Sequence, residues 1–202
     1  MNKQIAKILS AILHPLLIPV YVMAIVLFFN TIYSYYPTSV KFYLMWVITL
    51  YSVILPSLTV IVVKRMQRMN HRRLPRRHFL SIIMLIGACC FLLCALTMMK
   101  SPSLTVFRKV AVAAMLCELY CLGMMQFTRI SLHLTAMGAG VATLVILNII
   151  GETSLFWAML TSIILAGLLA SARLYMGRHR SLQLLASFVG GFLICVITML
   201  YI

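Results

Sequence analysis

The chain has 202 residues, 64% of them apolar and 9% charged, with a mean hydropathy of +1.09, which predicts an all-α integral membrane protein and excludes a soluble globular domain. Against 17 Lys and Arg stand two acids, Glu118 and Glu152, for a net charge of +15. Two acids are too few for paired-carboxylate catalysis or for a Ca²⁺ or Mg²⁺ cage, so the expected partner is an anion; a nucleic acid needs more surface than the bilayer leaves exposed, and a phosphate carried on a lipid fits better.

A helix needs about twenty apolar residues to cross the hydrocarbon core. Runs of that kind predict seven spans, at about 9–29, 42–63, 79–99, 110–127, 134–150, 155–172 and 183–202, in one transmembrane domain covering 1–202. The first span follows Lys3 and Lys7 as a secretory signal would. It is long for a signal, however, contains Pro15 and Pro19, and reaches Phe29-Asn30 without a small-residue cleavage pattern. It reads as a kinked packing helix, with His14 part of that packing and a place near the functional site as the alternative. Between the second and third spans lies the basic segment 64–78, KRMQRMNHRRLPRRH. Such a segment sets topology and attracts anionic headgroups at about 1 kcal/mol per cation. Arg72 and Arg73, close to Pro75, are the members placed to reach into a site.

The fourth span carries Glu118, an ionisable group at membrane depth and therefore a functional candidate. Pairing with a bundle arginine, or retention of its proton, is expected, and a structural role is favoured over a proton relay. Segment Thr128–Thr135 precedes the fifth span, and Gly151–Ser154 leaves room only for a tight hairpin between the fifth and sixth. Ala172–Gly191 joins the sixth to the seventh. The six cysteines all fall within spans and read as packing thiols, with no CxxC pair for zinc or redox work. Gly138, Gly140, Gly190 and Gly191 are expected to let helices approach closely. The last span has neither a Lys for a Schiff base nor a carboxylate counter-ion, which disfavours a retinal photoreceptor.

With seven spans the cations sort by side. Lys3, Lys7, the basic segment, Arg129, Arg173, Arg178 and Arg180 share the N-terminal side, whereas Lys41, Lys100, Arg108 and Lys109 lie opposite. The positive-inside rule makes the N-terminal side cytoplasmic. The same parity gathers the three polar segments on one face. There a guanidinium fork at Arg173 fits phosphate oxygens and a neutral imidazole at His179 can attack phosphorus. A hydrogen-bonded structural histidine is the alternative on spacing alone.

The string 171–191 resembles the last signature of the type 2 phosphatidic acid phosphatase superfamily, which is Ser-Arg, five residues, His, three residues, Asp, then a small-residue helix with Gly. Here Ala172 stands at the Ser, Arg173, His179 and Gln183 keep the register, and Gly190 and Gly191 follow. Ile130-Ser131-Leu132-His133 is similar to the middle signature, Pro-Ser-Gly-His. Arg65, six residues and Arg72, with Pro75 displaced, echo the first, Lys with six residues before Arg-Pro. The resemblance covers 64–191 and implies a six-helix phosphatase-like core plus one further helix.

What the resemblance implies chemically is metal-independent hydrolysis of a lipid phosphate or diphosphate, of polyprenyl diphosphate or phosphatidic acid type, without a cofactor. His179 would be the nucleophile that becomes a phosphohistidine, and His133 the acid and base. Arg173, Ser131 and an arginine among Arg65, Arg72 and Arg73 would hold phosphate oxygens. Gln183 stands where the family has the Asp that orients the nucleophile; its carbonyl can accept an imidazole N–H but brings no charge. A bacterial branch of the superfamily carries the same Ser-Leu-His and His-x-x-x-Gln pattern, which implies a multi-pass protein of the bacterial inner membrane. Ser131 is also placed to cap the fifth span, whose amides would face the same anion. The alternative function is a non-catalytic binder or transporter of phosphorylated lipid using the same basic site.

Overall fold

The computed structural model describes residues 3–29, 33, 35–69, 75–99, 104–150, 155–177 and 179–201. All its regular elements are helical: α1 (Lys3–Ile12), α2 (Ile18–Phe29), α3 (Thr38–Thr49), α4 (Leu55–Met69), α5 (Arg76–Thr97), α6 (Thr105–Met124), α7 (Leu132–Ile150), α8 (Phe156–Tyr175) and α9 (Ser181–Tyr201). Five stretches are long and apolar enough to cross a membrane: Thr38–Arg68, Arg77–Thr97, Leu132–Ile150, Phe156–Tyr175 and Ser181–Tyr201. Such helices fit an integral membrane protein. Of the other two predicted spans, α2 is shorter, and α6 has the length but carries Arg108, Lys109 and Glu118.

The first predicted span is not one helix. Pro15 supplies no N–H and pushes His14 out of helical backbone, so α1 stops at Ile12. Pro19 falls in the first turn of α2, where a missing N–H costs no intrahelical bond. The detached α1 packs on α8 and leaves Ile5, Ile8 and Ile12 exposed along one stripe, the pattern of a helix lying in a membrane interface. A second proline shapes the next rod. Pro56 has no N–H for the Ser52 carbonyl, and a π-helical turn, Leu50–Ile54, joins α3 to α4 there. The buried Ser52 hydroxyl donates to the Leu16 carbonyl, 2.5 Å, tying this turn to the break between α1 and α2.

The centre of the bundle is α7, which packs against α9, α8, α6 and α2. Leu134, Met137, Val141, Ala142, Leu144 and Leu147 are all buried along it. Small residues set its distance from α9, as the sequence predicts. A side chain at Gly138 would run into the Phe188 carbonyl, and one at Gly191 into the Thr135 carbonyl. Close backbone contact of this kind is what associates helices where lipid removes the hydrophobic driving force. Gly140 meets Ile18 and Val22 of α2 in the same manner, and Gly190 meets Tyr120 of α6. The tight seam holds the N-termini of α7 and α9 side by side.

Candidate functional site

At that end of the bundle the chain break after α1, the starts of α5, α7 and α9 and the end of α8 converge. Ser131 sits at the N-cap of α7, where its carbonyl accepts the N–H groups of Leu134 and Thr135 at 3.0 and 3.1 Å. Its hydroxyl does not cap the helix as the sequence suggests. Ser131 is 2% exposed, and its Oγ has no hydrogen-bond partner among the described residues. The Ser131 N–H is instead held by Ser187 Oγ of α9 at 3.0 Å, and the Ser187 hydroxyl donates to the Gln183 carbonyl. One buried serine thus ties the first turn of α9 to the entrance of α7.

In the first turn of α7, the His133 ring meets the His14 ring edge-on, centroids 5.4 Å apart and planes at 72°. His133 also hydrogen-bonds the backbone of Ser10 and feels the charges of Arg173, His14 and His179. Arg173 is buried in the last turn of α8, where a cation is favoured by the carbonyl end of the helix. His14, assigned by sequence to packing, belongs to this cluster because the Pro15 break turns the chain back over α7. Burial, then the Arg173 guanidinium, lowers its pKa below the ordinary imidazole value.

His179 lies just outside this buried group, half-buried in the turn between α8 and α9, with Nδ1 3.1 Å from the Arg129 carbonyl. With the proton on Nδ1 that carbonyl accepts it, and Nε2 carries the lone pair. Gln183 does not fill the orienting role expected of it. Its Oε1 accepts the Arg180 backbone N–H at 3.2 Å, the reach from N3 back to the N-cap that closes a capping box. A carboxylate three residues past the cap would serve this helix start equally well. The group aligned with the imidazole is a backbone carbonyl, invisible to any motif.

Around His179 opens a solvent-facing cleft of about 460 Å³, lined also by Phe127, Arg77, Thr128, Arg129, Gly177, Arg180 and Gln183. Among the described residues, Arg77 is the cation that the basic segment contributes. It stands in the first turn of α5 behind Pro75, whose backbone (φ −54°, ψ 141°) starts that helix without a side-chain cap. Arg65 is exposed on α4 and does not line the cleft. Arg72 and Arg73 lie outside the described residues. The site therefore has two tiers: an outer cleft with His179 and three arginines, and an inner cluster of His133, His14, Arg173 and the Ser131 hydroxyl.

Sequence reasoning did not single out Arg77, Arg129 or Ser187 for the site, and it held the place of His14 near the site only as the alternative to packing. Pro75 immediately before Arg76-Arg77 was the available signal for Arg77, since a proline at a helix start aims the first-turn cations outward from one end of the bundle. Among the described residues no three His, Cys, Asp or Glu side chains converge as metal ligands would. Comparison with protein-family models, with curated proteins and with solved structures finds no match.

Proposed function

We propose that this protein is a multi-pass phosphatase of the bacterial inner membrane, of the type 2 phosphatidic acid phosphatase kind, acting on a lipid phosphate or diphosphate. Its seven crossings would be α2, the α3–α4 rod and α5 to α9, with the histidine end cytoplasmic by the charge rule. The observation that carries the reading is the meeting of His133 with Arg173 and His179, which come from two polar segments remote from each other in the chain, beside a cleft lined by Arg77, Arg129 and Arg180.

Phosphoryl transfer asks mainly for in-line positioning and for neutralisation of spreading negative charge. Arg173 and the cleft arginines would hold the phosphate oxygens, with the unpartnered Ser131 hydroxyl as a further donor. His179 Nε2 attacks phosphorus, forming the P–N bond as the P–O bond to the leaving group breaks, and the departing oxygen takes a proton from His133. His133 then removes a proton from water, the hydroxide attacks phosphorus, the P–N bond breaks, and phosphate leaves. The Arg129 carbonyl fixes the tautomer of His179 throughout. It supplies no full charge to stabilise an imidazolium, an observation that favours the second reading, a binder or transporter of phosphorylated lipid without turnover.

Purified protein should release phosphate from phosphatidic acid or from a polyprenyl mono- or diphosphate with a chelator present, and His179→Ala should be inactive. Equal inactivity of both proteins across that panel, with lipid binding retained, would leave only the binder.

A further inference from the structure

At ten residues α1 is too short to cross a bilayer, which takes about twenty. Its place along the bundle is nonetheless that of a membrane boundary. With α7 crossing the membrane, as its length and composition fit, the first turn of α7 stands at the water side of the hydrocarbon. That turn holds His133, which meets Ser10 in the last turn of α1 and His14 just beyond it. Three faces divide the helix. Ala6 is buried, as is Leu13 just past the helix end, and α1 packs on α8. Ile5, Ile8 and Ile12, at the helical spacing of three and four, form a stripe 57, 59 and 53% exposed. Lys7, also exposed, falls about 100° from Ile8 around the axis, off that stripe. A stripe of branched apolar residues beside a cation, at the level where spanning helices end, matches a helix sunk partway into the boundary between headgroups and acyl chains. Arg77, Arg129 and Arg180 crowd the same end of the bundle, and cations near the surface favour lipids with negative headgroups.

The seating of α1 bears on His133 because the two are tied. Within the helix the Ser10 N–H is used in the bond to the residue four before it, so the Ser10 group that hydrogen-bonds His133 is its carbonyl, one of the last four that a helix leaves without a partner. His14 stands against the same ring from the side, and its Nδ1 accepts the Leu16 N–H at 3.4 Å. The Leu16 carbonyl is in turn held by Ser52. The break after α1 is thus pinned to the α3–α4 rod, α8 covers one face of α1, and the isoleucine stripe is left to the leaflet.

We propose that the stripe of Ile5, Ile8 and Ile12, with Lys7, is a binding face for an anionic lipid leaflet, and that its seating there holds the Ser10 carbonyl on His133. A ring fixed at one nitrogen presents the other in a set direction, as the Arg129 carbonyl does for His179. The binding face stands without the phosphatase reading; its consequence for turnover rests on that reading.

With Trp46 and Trp157, both exposed, replaced by Phe, Ile8→Trp supplies the sole tryptophan. In nanodiscs of phosphatidylcholine mixed with phosphatidylglycerol, acyl-brominated lipid should quench it and aqueous iodide should not. In phosphatidylcholine alone the quenching by bromine should fall. Quenching by iodide alone, quenching by neither agent, as a second copy covering the stripe would give, or equal bromine quenching in the two lipids overturns the binding face. The hold on His133 is read in the same nanodiscs from imidazole proton signals of isotope-labelled histidine, the His133 signal being assigned by its absence in His133→Gln. Ile8→Glu alters an exposed side chain, leaves the core intact and is repelled by an anionic leaflet. It should lose the slowly exchanging His133 imidazole proton, and Ile8→Leu should keep it. An unchanged signal in Ile8→Glu overturns the coupling, whether or not the protein turns over. Where phosphate is released, Ile8→Glu should lower kcat about tenfold or more through a misplaced acid and base, with KM little changed. A fall confined to KM also overturns the coupling.

Discussion

The two ends of the bundle use their cations differently. At the end opposite the histidines, Lys109 Nζ donates to the Met199 carbonyl at 2.7 Å in the last turn of α9, and Lys41 lies 5.8 Å over the Phe28 ring. Tyr33 closes this end by packing edge-on against Tyr36 and Phe107. These cations are absorbed by the fold, one as a helix C-terminal partner and one on an aromatic face. At the histidine end, Arg77, Arg129 and Arg180 face an open cleft. Charge count alone makes both ends look like solvated helix termini. Placement shows one end finishing helices and the other surrounding a space that a phosphate could enter.

The largest test of that contrast is Arg173→Met. If Arg173 holds the phosphate as proposed, loss of its buried guanidinium should lower the rate of phosphate release by roughly 10² to 10³, while thermal unfolding in detergent shows a folded protein. A folded variant of unchanged rate would remove Arg173 from the site. Next comes the comparison of Arg77→Ala with Lys109→Met. The first should raise KM about tenfold, the value of one charge-assisted contact. The second should leave KM alone and cost about 1 kcal/mol of stability through the lost hydrogen bond to Met199. If the two variants behave alike in the kinetic assay, the ends do not differ in function.

A smaller effect separates the two roles suggested for Gln183. As a capping residue it predicts that Gln183→Ala loses about 1 kcal/mol of stability with little change in rate, and that Gln183→Asp gives no large gain in rate. A large gain in phosphate release from Gln183→Asp would mean that a carboxylate can reach His179 after all. The smallest effect belongs to His14. Its folded pKa is lowered from 6.5 by burial and then by Arg173, so the unfolded chain binds the proton more readily. Stability should therefore fall as pH drops from about 6.5 toward the lower folded value, and remain at higher pH. His14→Gln should flatten that part of the melting-temperature profile. An unaltered profile would place the acid sensitivity elsewhere.

Much of this site was legible because the sequence carries its signals locally. Arg173, His179, Ser131 and His133 were singled out by the resemblance of their signatures to those of a known family, and helix parity brings their segments to one end. The orienting group for His179 was not legible, since any residue offers a backbone carbonyl and only the packing of the α8–α9 turn on the α6–α7 turn selects that of Arg129. His14 was read as packing because its partner is remote in the chain. Glu118 could be recognised as exceptional from its depth, but that no arginine pairs with it among the described residues depends on where every neighbouring helix turns its side chains.

By itself, the sequence determined the apolar helices, the kink at Pro15 and Pro19, the small residues of the α7–α9 seam and the side of the bundle that is most cationic. These follow from hydropathy, missing amide protons, residue size and charge, all properties of residues and near neighbours. Only the tertiary structure decided that α1 detaches and folds back on α8, that Arg77 and not Arg65 faces the cleft, and that Gln183 caps a helix. It also decided that His14 stands against His133 and that the Glu118 carboxyl lies against Gly87. Those outcomes depend on the rotation of each helix about its axis, which is fixed by close packing among partners far apart in the chain.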